Sequence, residues 1–304
     1  MTSKSKIGAT IAIGGAAILL AAWGDAGHRM TGEAAALSMP GSTPAFFRNA
    51  SRQLGYLNPE PDRWKDRNER NLDNALYGGT DAEHFVDSDL VPPAVFAAAM
   101  KAPTRYAYAD TLRKAGVDPV KFGFLPFAIL ERAQMLRVDF RNWRAAPDSI
   151  KPFIEARIID DAGILGHFVA DGSNPLHTSD QFNGWTRENP NGYATDKQTH
   201  ARFESGYVGA KIKLADVMAK MDTNARVLPD FRSAILTYIN ESHAQMVPFY
   251  ELDKLSRFDT NTVNPMNKTF TTDRLAAGAK MLRDVWFTAW VSSGEPSGRG
   301  RSGR

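Results

Sequence analysis

The 304 residues carry 37 Lys and Arg against 34 Asp and Glu, six His and no Cys. With 43% hydrophobic residues the chain can bury a sizeable core, as one large domain or two small ones. The missing cysteine excludes disulfides and thiolate metal sites, so any metal must take histidine, carboxylate or backbone ligands.

Residues 1–22, MTSKSKIGATIAIGGAAILLAA, read as a secretory leader: Lys4 and Lys6, an apolar run from Ile7 to Leu20, and a small-residue end at Ala21-Ala22. The expectation is a secreted or periplasmic protein that starts at Trp23, with no membrane span once the leader is cut. Without the leader the balance is 35 basic to 34 acidic residues, and without the three Arg of the SGRGRSGR tail it is 32 to 34. The body is near neutral, so the sequence pI of about 9.0 is no argument for nucleic-acid binding by the body. Residues 295–304 read as a disordered Arg/Gly tail.

After WGDAGH, the stretch RMTGEAAALSM predicts a helix with His28 in or just before its first turn. Residues 40–48 look like a Pro/Gly break, and 55–79 a polar loop with short helical turns. VPPAVFAAAMKA suggests a short helix. From Gly123 to Trp143, Phe124, Phe127, Leu130, Met135, Val138 and Phe140 recur at amphipathic helical spacing. So do Ile150, Phe153, Ile154, Ile158, Ala162, Leu165, Phe168 and Val169 over 149–171, with Asp171-Gly172 as the expected C-cap. Residues 181–196 read as a loop. Further helices are expected from about Asp196 to Met221, Asp230 to about Gln245 and Thr272 to Ser292. No strand ladder is evident, and the expected class is all-α, a single multi-helix domain over 23–294.

Three histidines lie between Asp161 and Glu204. His167 has Asp171 four residues later, and His200 has Glu204 four residues later. On a helix such pairs share one face, so imidazole and carboxylate can address one ion. His177 follows a Gly-Ser-Asn-Pro break that lets the chain turn a third imidazole towards the same place. Nitrogen and oxygen ligands of this kind suit zinc. His28 and His84 also stand in ligand-like contexts. His243, with no carboxylate four residues away, reads as a core or surface histidine.

The ordered phrases WGDAGH, HFVD, HFVADGSNPLH and HARFE resemble the zinc-dependent phospholipase C / S1-P1 nuclease superfamily, over most of the chain from Trp23 to DVWFTAWVSSGEP. The resemblance implies an α-helical fold with three zinc ions in a cleft and hydrolysis of phosphoester bonds. It implies that the α-amino group and carbonyl of Trp23, with His28, hold one ion. Asp171 would bridge that ion to a second, completed by His84, His167 and a loop aspartate. His177, His200 and Glu204 would hold the third. Asp62 and Asp66 both match the loop aspartate, and Asp62 is favoured; that residue would also orient or deprotonate the attacking water.

The resemblance further implies that Phe85 and Asp87 stack on and hydrogen-bond a base, with Asn183 comparable to a substrate-binding position. The Trp23–His28 and His177–His200 spacings resemble the nucleases, whereas Glu204 in place of aspartate resembles the phospholipases. The expected function is a zinc phosphodiesterase acting on single-stranded nucleic acid. The alternatives are a phospholipase C acting on phospholipid head groups and a non-catalytic zinc-stabilised binding protein. No protein partner is inferred.

Overall fold

The computed structural model describes residues 23–295. The leader expected over 1–22 and the tail beyond Glu295 lie outside the described residues.

Every regular element among the described residues is helical. Five helices pack against one another around the centre: Gly24–Leu37, Ser51–Leu57, Leu125–Ala145, Lys151–Asp171 and Pro265–Ser292. Their apolar faces share one buried cluster that runs from Trp23 to Ala289. Close approach is set by small residues on the Lys151–Asp171 helix. A Cβ on Gly163 would fall 2.3 Å from Leu57 Cβ, and one on Gly166 would meet Leu282 at 3.1 Å. Trp286 fills the space behind them, fully buried, with its indole N–H donating to Ala162 O at 3.2 Å. Truncating such a ring to Ala costs about 3–5 kcal/mol. No helix among the described residues is long and apolar enough to cross a membrane.

The predicted helices at 123–143 and 149–171 form as Leu125–Ala145 and Lys151–Asp171, each with a proline in its first turn, where no N–H is needed. Other expectations need correction. The 196–221 helix is not continuous. It runs through Thr199–Ala201, a π-helical turn at Arg202–Val208 and Gly209–Lys211, then breaks where Ile212 and Lys213 are extended. It restarts at Leu214–Met218, where Asp216 accepts from the Lys213 N–H at 3.0 Å. The last helix begins seven residues earlier than expected, at Pro265, because Asn264 caps it by accepting from the Met266 N–H. Arg105–Lys114 and Met246–Leu255 are helices that the periodicity reading did not separate out.

Gly172 ends its helix without a left-handed cap, at φ −61 and ψ −17. Its smallness serves packing instead, since a Cβ there would lie 2.8 Å from the Tyr238 ring. His28 sits past the first turn of Gly24–Leu37, so it points into the bundle rather than capping it.

Candidate metal centre

Four segments deliver the polar cluster. The Gly24–Leu37 helix carries His28; the turn Glu60–Arg63 carries Asp62; the short turn after Asp81–Glu83 carries His84; the Lys151–Asp171 helix carries His167 and Asp171 at its C-terminal end. A 3₁₀ turn, Pro175–His177, brings His177 back beside them, with the Asn174 side chain capping it by accepting from Leu176 N–H at 3.1 Å. The Thr199–Ala201 turn supplies His200, and the π-helical run that continues it supplies Glu204.

The ligand atoms form three groups within ion-binding reach: His28, Asp62 and His167; His84, His167 and Asp171; His177, His200 and Glu204. Asp171, fully buried, is the centre. Its oxygens lie 3.4 Å from His28 Nε2, 3.3 Å from His84 Nδ1, 3.2 Å from His167 Nε2 and 3.7 Å from His177 Nδ1. Asp62 Oδ1 lies 3.8 Å from His84 Nδ1 and 3.9 Å from His167 Nε2. His200 Nε2 lies 2.7 Å from Glu204 Oε2, and His177 Nε2 3.2 Å from Glu204 Oε1.

Both oxygens of Asp171 and Oδ2 of Asp62, with His28 Nε2 and His84 Nε2, are buried without a hydrogen-bond partner, while Asp62 Oδ1 is paired with Lys65 Nζ at 2.8 Å. Leaving such groups unsatisfied costs about 1–3 kcal/mol each, more when charged. Three of the rings are held from behind by carbonyl acceptors, and His84 Nδ1 meets His167 Nε2 at 2.9 Å on the inner side. His28 Nδ1 is 3.0 Å from Asn58 Oδ1, His167 Nδ1 is 3.0 Å from Asn58 O, and His177 Nδ1 is 2.6 Å from His84 O. Each of these carbonyls accepts a hydrogen bond from Nδ1–H and leaves Nε2 as the free ring nitrogen, the arrangement that metal-binding histidines use.

The electrostatics point the same way. Burial would raise the Asp171 carboxyl, but the neighbouring His167 and His177 hold it well below the ordinary range. Asp62 and Glu204 are likewise lowered against burial, Asp62 by His167 and Lys65, Glu204 by His200 and His177. Burial drives His167 down to about 4, with stacked His28 adding to the effect. His177 is raised to about 9 despite burial, by Asp171 and Glu204. The cluster keeps its carboxylates anionic and draws positive charge. These three His/Asp/Glu groups can hold metal ions.

Asp66 is not part of the cluster. It is exposed and accepts from the Asn68 N–H at 2.8 Å, while the Asp62 side chain is 7% exposed and faces the histidines. Trp23 brings no side-chain ligand. Its ring is buried against Phe203, and its indole N–H donates to Ala170 O at 2.7 Å, one residue before Asp171. Phe85 is half-buried. Its carbonyl is crowded by Gly123, where φ is +97 and a Cβ would fall 2.0 Å away. Asp87 is buried, and burial with the nearby Asp89 and Asp180 pushes its carboxyl up to about 8. Asn183 Oδ1 accepts from the His200 N–H at 3.3 Å, so it fixes the start of a ligand-bearing helix. His243 Nδ1–H donates to Thr178 O at 2.9 Å, outside the three groups.

Three residues escape a reading by spacing. Asn58 contacts two of the histidines, and the Asn174 amide donates to Glu204 Oε1. Lys65 Nζ lies 2.8 Å from Asp62 Oδ1 with its side chain 21% exposed. The i+3 interval from Asp62 to Lys65 was the one available signal, but it is common on any helical turn. A cavity of about 640 Å³ lined by Arg105, Phe127, Gln134, Arg137, Phe231 and Val285 includes none of the cluster residues.

No protein-family model matches this chain, and no curated protein or solved structure does either.

Proposed function

We propose that the chain is a zinc-dependent phosphoester hydrolase of the phospholipase C / S1-P1 nuclease type, cleaving phosphodiester bonds in single-stranded nucleic acid. The observation that carries this reading is the cluster centred on Asp171, whose two oxygens are buried without hydrogen-bond donors while ring nitrogens of His28, His84 and His167 stand 3.2–3.4 Å from them. An all-nitrogen-and-oxygen donor set without sulfur fits Zn²⁺. His28 and Asp171, with the α-amino group and carbonyl of Trp23, would hold one ion. Asp62, His84 and His167 with Asp171 would hold a second, and His177, His200 and Glu204 a third. When bound, the ions would supply Lewis-acid activation of water and of the phosphate at neutral pH.

The protein's own groups complete the chemistry. Asp62, kept anionic, is placed to orient the attacking water and accept its proton. Lys65, ion-paired to Asp62 yet partly open to solvent, offers a cation to the phosphate oxygens. His200 is the most exposed ligand, at 19%, so the cluster opens on its side. There Phe182, 41% exposed, stands edge-on to His200 with ring centroids 5.5 Å apart and offers a face to an unstacked base.

The test is to produce protein beginning at Trp23, load it with zinc, count the bound metal and incubate it with single-stranded DNA, RNA and phosphatidylcholine vesicles. Cleavage of the nucleic acids is expected. Hydrolysis of vesicles alone would replace the substrate class with phospholipid head groups. Full zinc loading without hydrolysis of any ester would leave a zinc-stabilised binding protein. One extra residue before Trp23 is expected to lower the zinc content by about one ion, because the amine ligand would be lost.

A further inference from the structure

We infer that Asn58 is a positioning residue that fixes, through two different carbonyl groups, which nitrogen of His28 and of His167 faces the metal cluster. The inference rests on the reading of that cluster as a metal centre.

Asn58 is fully buried and ends the Ser51–Leu57 helix. The last carbonyls of a helix have no partner within it. Here the sequence Asn58-Pro59-Glu60-Pro61-Asp62 keeps the Asn58 carbonyl free. Pro61, three residues on, has no N–H to return, and the Asp62 N–H donates to Pro59 O instead, at 3.2 Å. The free carbonyl accepts from His167 Nδ1–H at 3.0 Å. The side-chain carbonyl of the same residue accepts from His28 Nδ1–H at 3.0 Å. One buried residue thus dictates the tautomer of two rings that stack on each other at 4.0 Å. Both are left with Nε2 towards Asp171, at 3.4 and 3.2 Å.

The packing around Asn58 is shaped for this. Its Nδ2 has no hydrogen-bond partner, although it is buried. It fits between two glycines on two different helices: a Cβ on Gly166 would fall 2.3 Å from Nδ2, and one on Gly32 would fall 2.8 Å from it. A buried amide that forgoes one of its own hydrogen bonds carries a cost of about 1–3 kcal/mol. What the amide provides in return is an acceptor at His28, and no other acceptor contacts Nδ1 of that ring. If the amide were reversed, Nδ2 would face His28 and the ring would present a protonated Nε2, a donor, to the centre.

The two carbonyls make the test internally controlled. Asn58→Leu keeps the branched shape and the main-chain carbonyl but removes the side-chain acceptor together with the amide; Asn58→Asp keeps an acceptor and removes the amide. The readout is the ¹⁵N chemical shift of both rings in metal-free protein at alkaline pH, where they are neutral, with Zn²⁺ affinity measured against a competing chelator. In the wild type both rings are expected to carry the proton on Nδ1. In Asn58→Leu, His28 is expected to lose that preference while His167, held by the main chain, keeps it. Zinc binding at the group containing His28 should weaken by about 10–100-fold, as for other residues that orient metal ligands, while the His177, His200 and Glu204 group is unchanged. Asn58→Asp should restore the His28 tautomer.

An unchanged His28 tautomer in Asn58→Leu overturns the inference. So does a simultaneous change at His28 and His167 in both variants, which would mark loss of packing. A wild type that binds no zinc would sink the metal reading, yet the metal-free spectra would still decide the role of Asn58.

Discussion

The two halves of the cluster solve the problem of burying charge differently. Around Asp171, four histidine nitrogens stand 3.2–3.7 Å away, and neither carboxylate oxygen receives a hydrogen bond. Around Glu204 the protein provides its own partners: the Asn174 amide, His177 at 3.2 Å and His200 at 2.7 Å. The first half is fixed by long helices and by carbonyls behind the rings. The second rides on a short turn and the π-helical run after it, with Glu204 buried and His200 partly exposed. The Asp171 half therefore leaves buried negative charge without a donor of its own, whereas the Glu204 half is largely satisfied by protein groups.

The comparison is sharpest when each centre is removed. Asp171→Ala is expected to lower kcat/KM by more than the about 10–100-fold of an outer-shell change and to empty both proposed sites that share Asp171. Glu204→Ala should leave those groups loaded. Metal analysis alongside cleavage of single-stranded DNA checks this, and equal metal loss in both variants would break the distinction.

Metal removal is the next largest effect. Saturation at 100 times the dissociation constant stabilises by about 2.7 kcal/mol per site. At about 2–4 °C per kcal/mol for a chain of this size, chelation should lower Tm by roughly 5–10 °C for each site emptied. The drop should be smaller in Asp171→Ala, which no longer has the central unpaired charge. An equal drop in both proteins would place the stabilising ion elsewhere.

At the substrate side of the first half, Lys65→Met should reduce kcat/KM by about tenfold, the value of a hydrogen bond to a charged group at about 1.5 kcal/mol. Its zinc content should stay at the wild-type level. Loss of metal in this variant would make Lys65 a support for Asp62 rather than a contact to phosphate.

The smallest effect concerns the helix pair behind the first half. Asp139 is buried on Leu125–Ala145, facing Asp161 and Arg157. Burial and the Asp161 carboxyl push its pKa up to about 6, against the pull of Arg157. A carboxyl with a folded pKa above its unfolded value stabilises fully below about pH 4 and loses that contribution as pH rises through 6. Asp139→Asn should remove this dependence and be more stable at pH 7. The gain is about 1 kcal/mol, below the full ~1.4 kcal/mol per pKa unit, because Arg157 is 67% exposed and solvent screens the pair. Urea denaturation at pH 4 and pH 7 measures it, and parallel losses in both proteins would refute it.

Much of this was legible before folding. Helical periodicity marked 123–143 and 149–171 because each buries a stripe against neighbours, and repetition of apolar residues is what such a stripe requires. The i,i+4 pairs His167–Asp171 and His200–Glu204 were readable because backbone geometry alone brings them together. The break at Ile212 was not readable, since it follows a π-helical turn that tertiary packing sets: a Cβ on Gly24 would lie 2.8 Å from Glu204 O. Asn58 and Asn174 were invisible for the same reason. Neither lies at a fixed helical interval from the groups it contacts; His28 is 30 residues from Asn58, and His167 is 109.

The sequence by itself determined the helical class, the supply of nitrogen and oxygen ligands and the two local pairs, because these depend on residue type and backbone period. Only the tertiary structure decided that Asp62 rather than Asp66 faces the histidines, that Asp171 lies within 4 Å of four of them, and that two carbonyls of Asn58 meet the Nδ1 atoms of His28 and His167. Those outcomes depend on contacts between segments tens of residues apart, for which no local period exists.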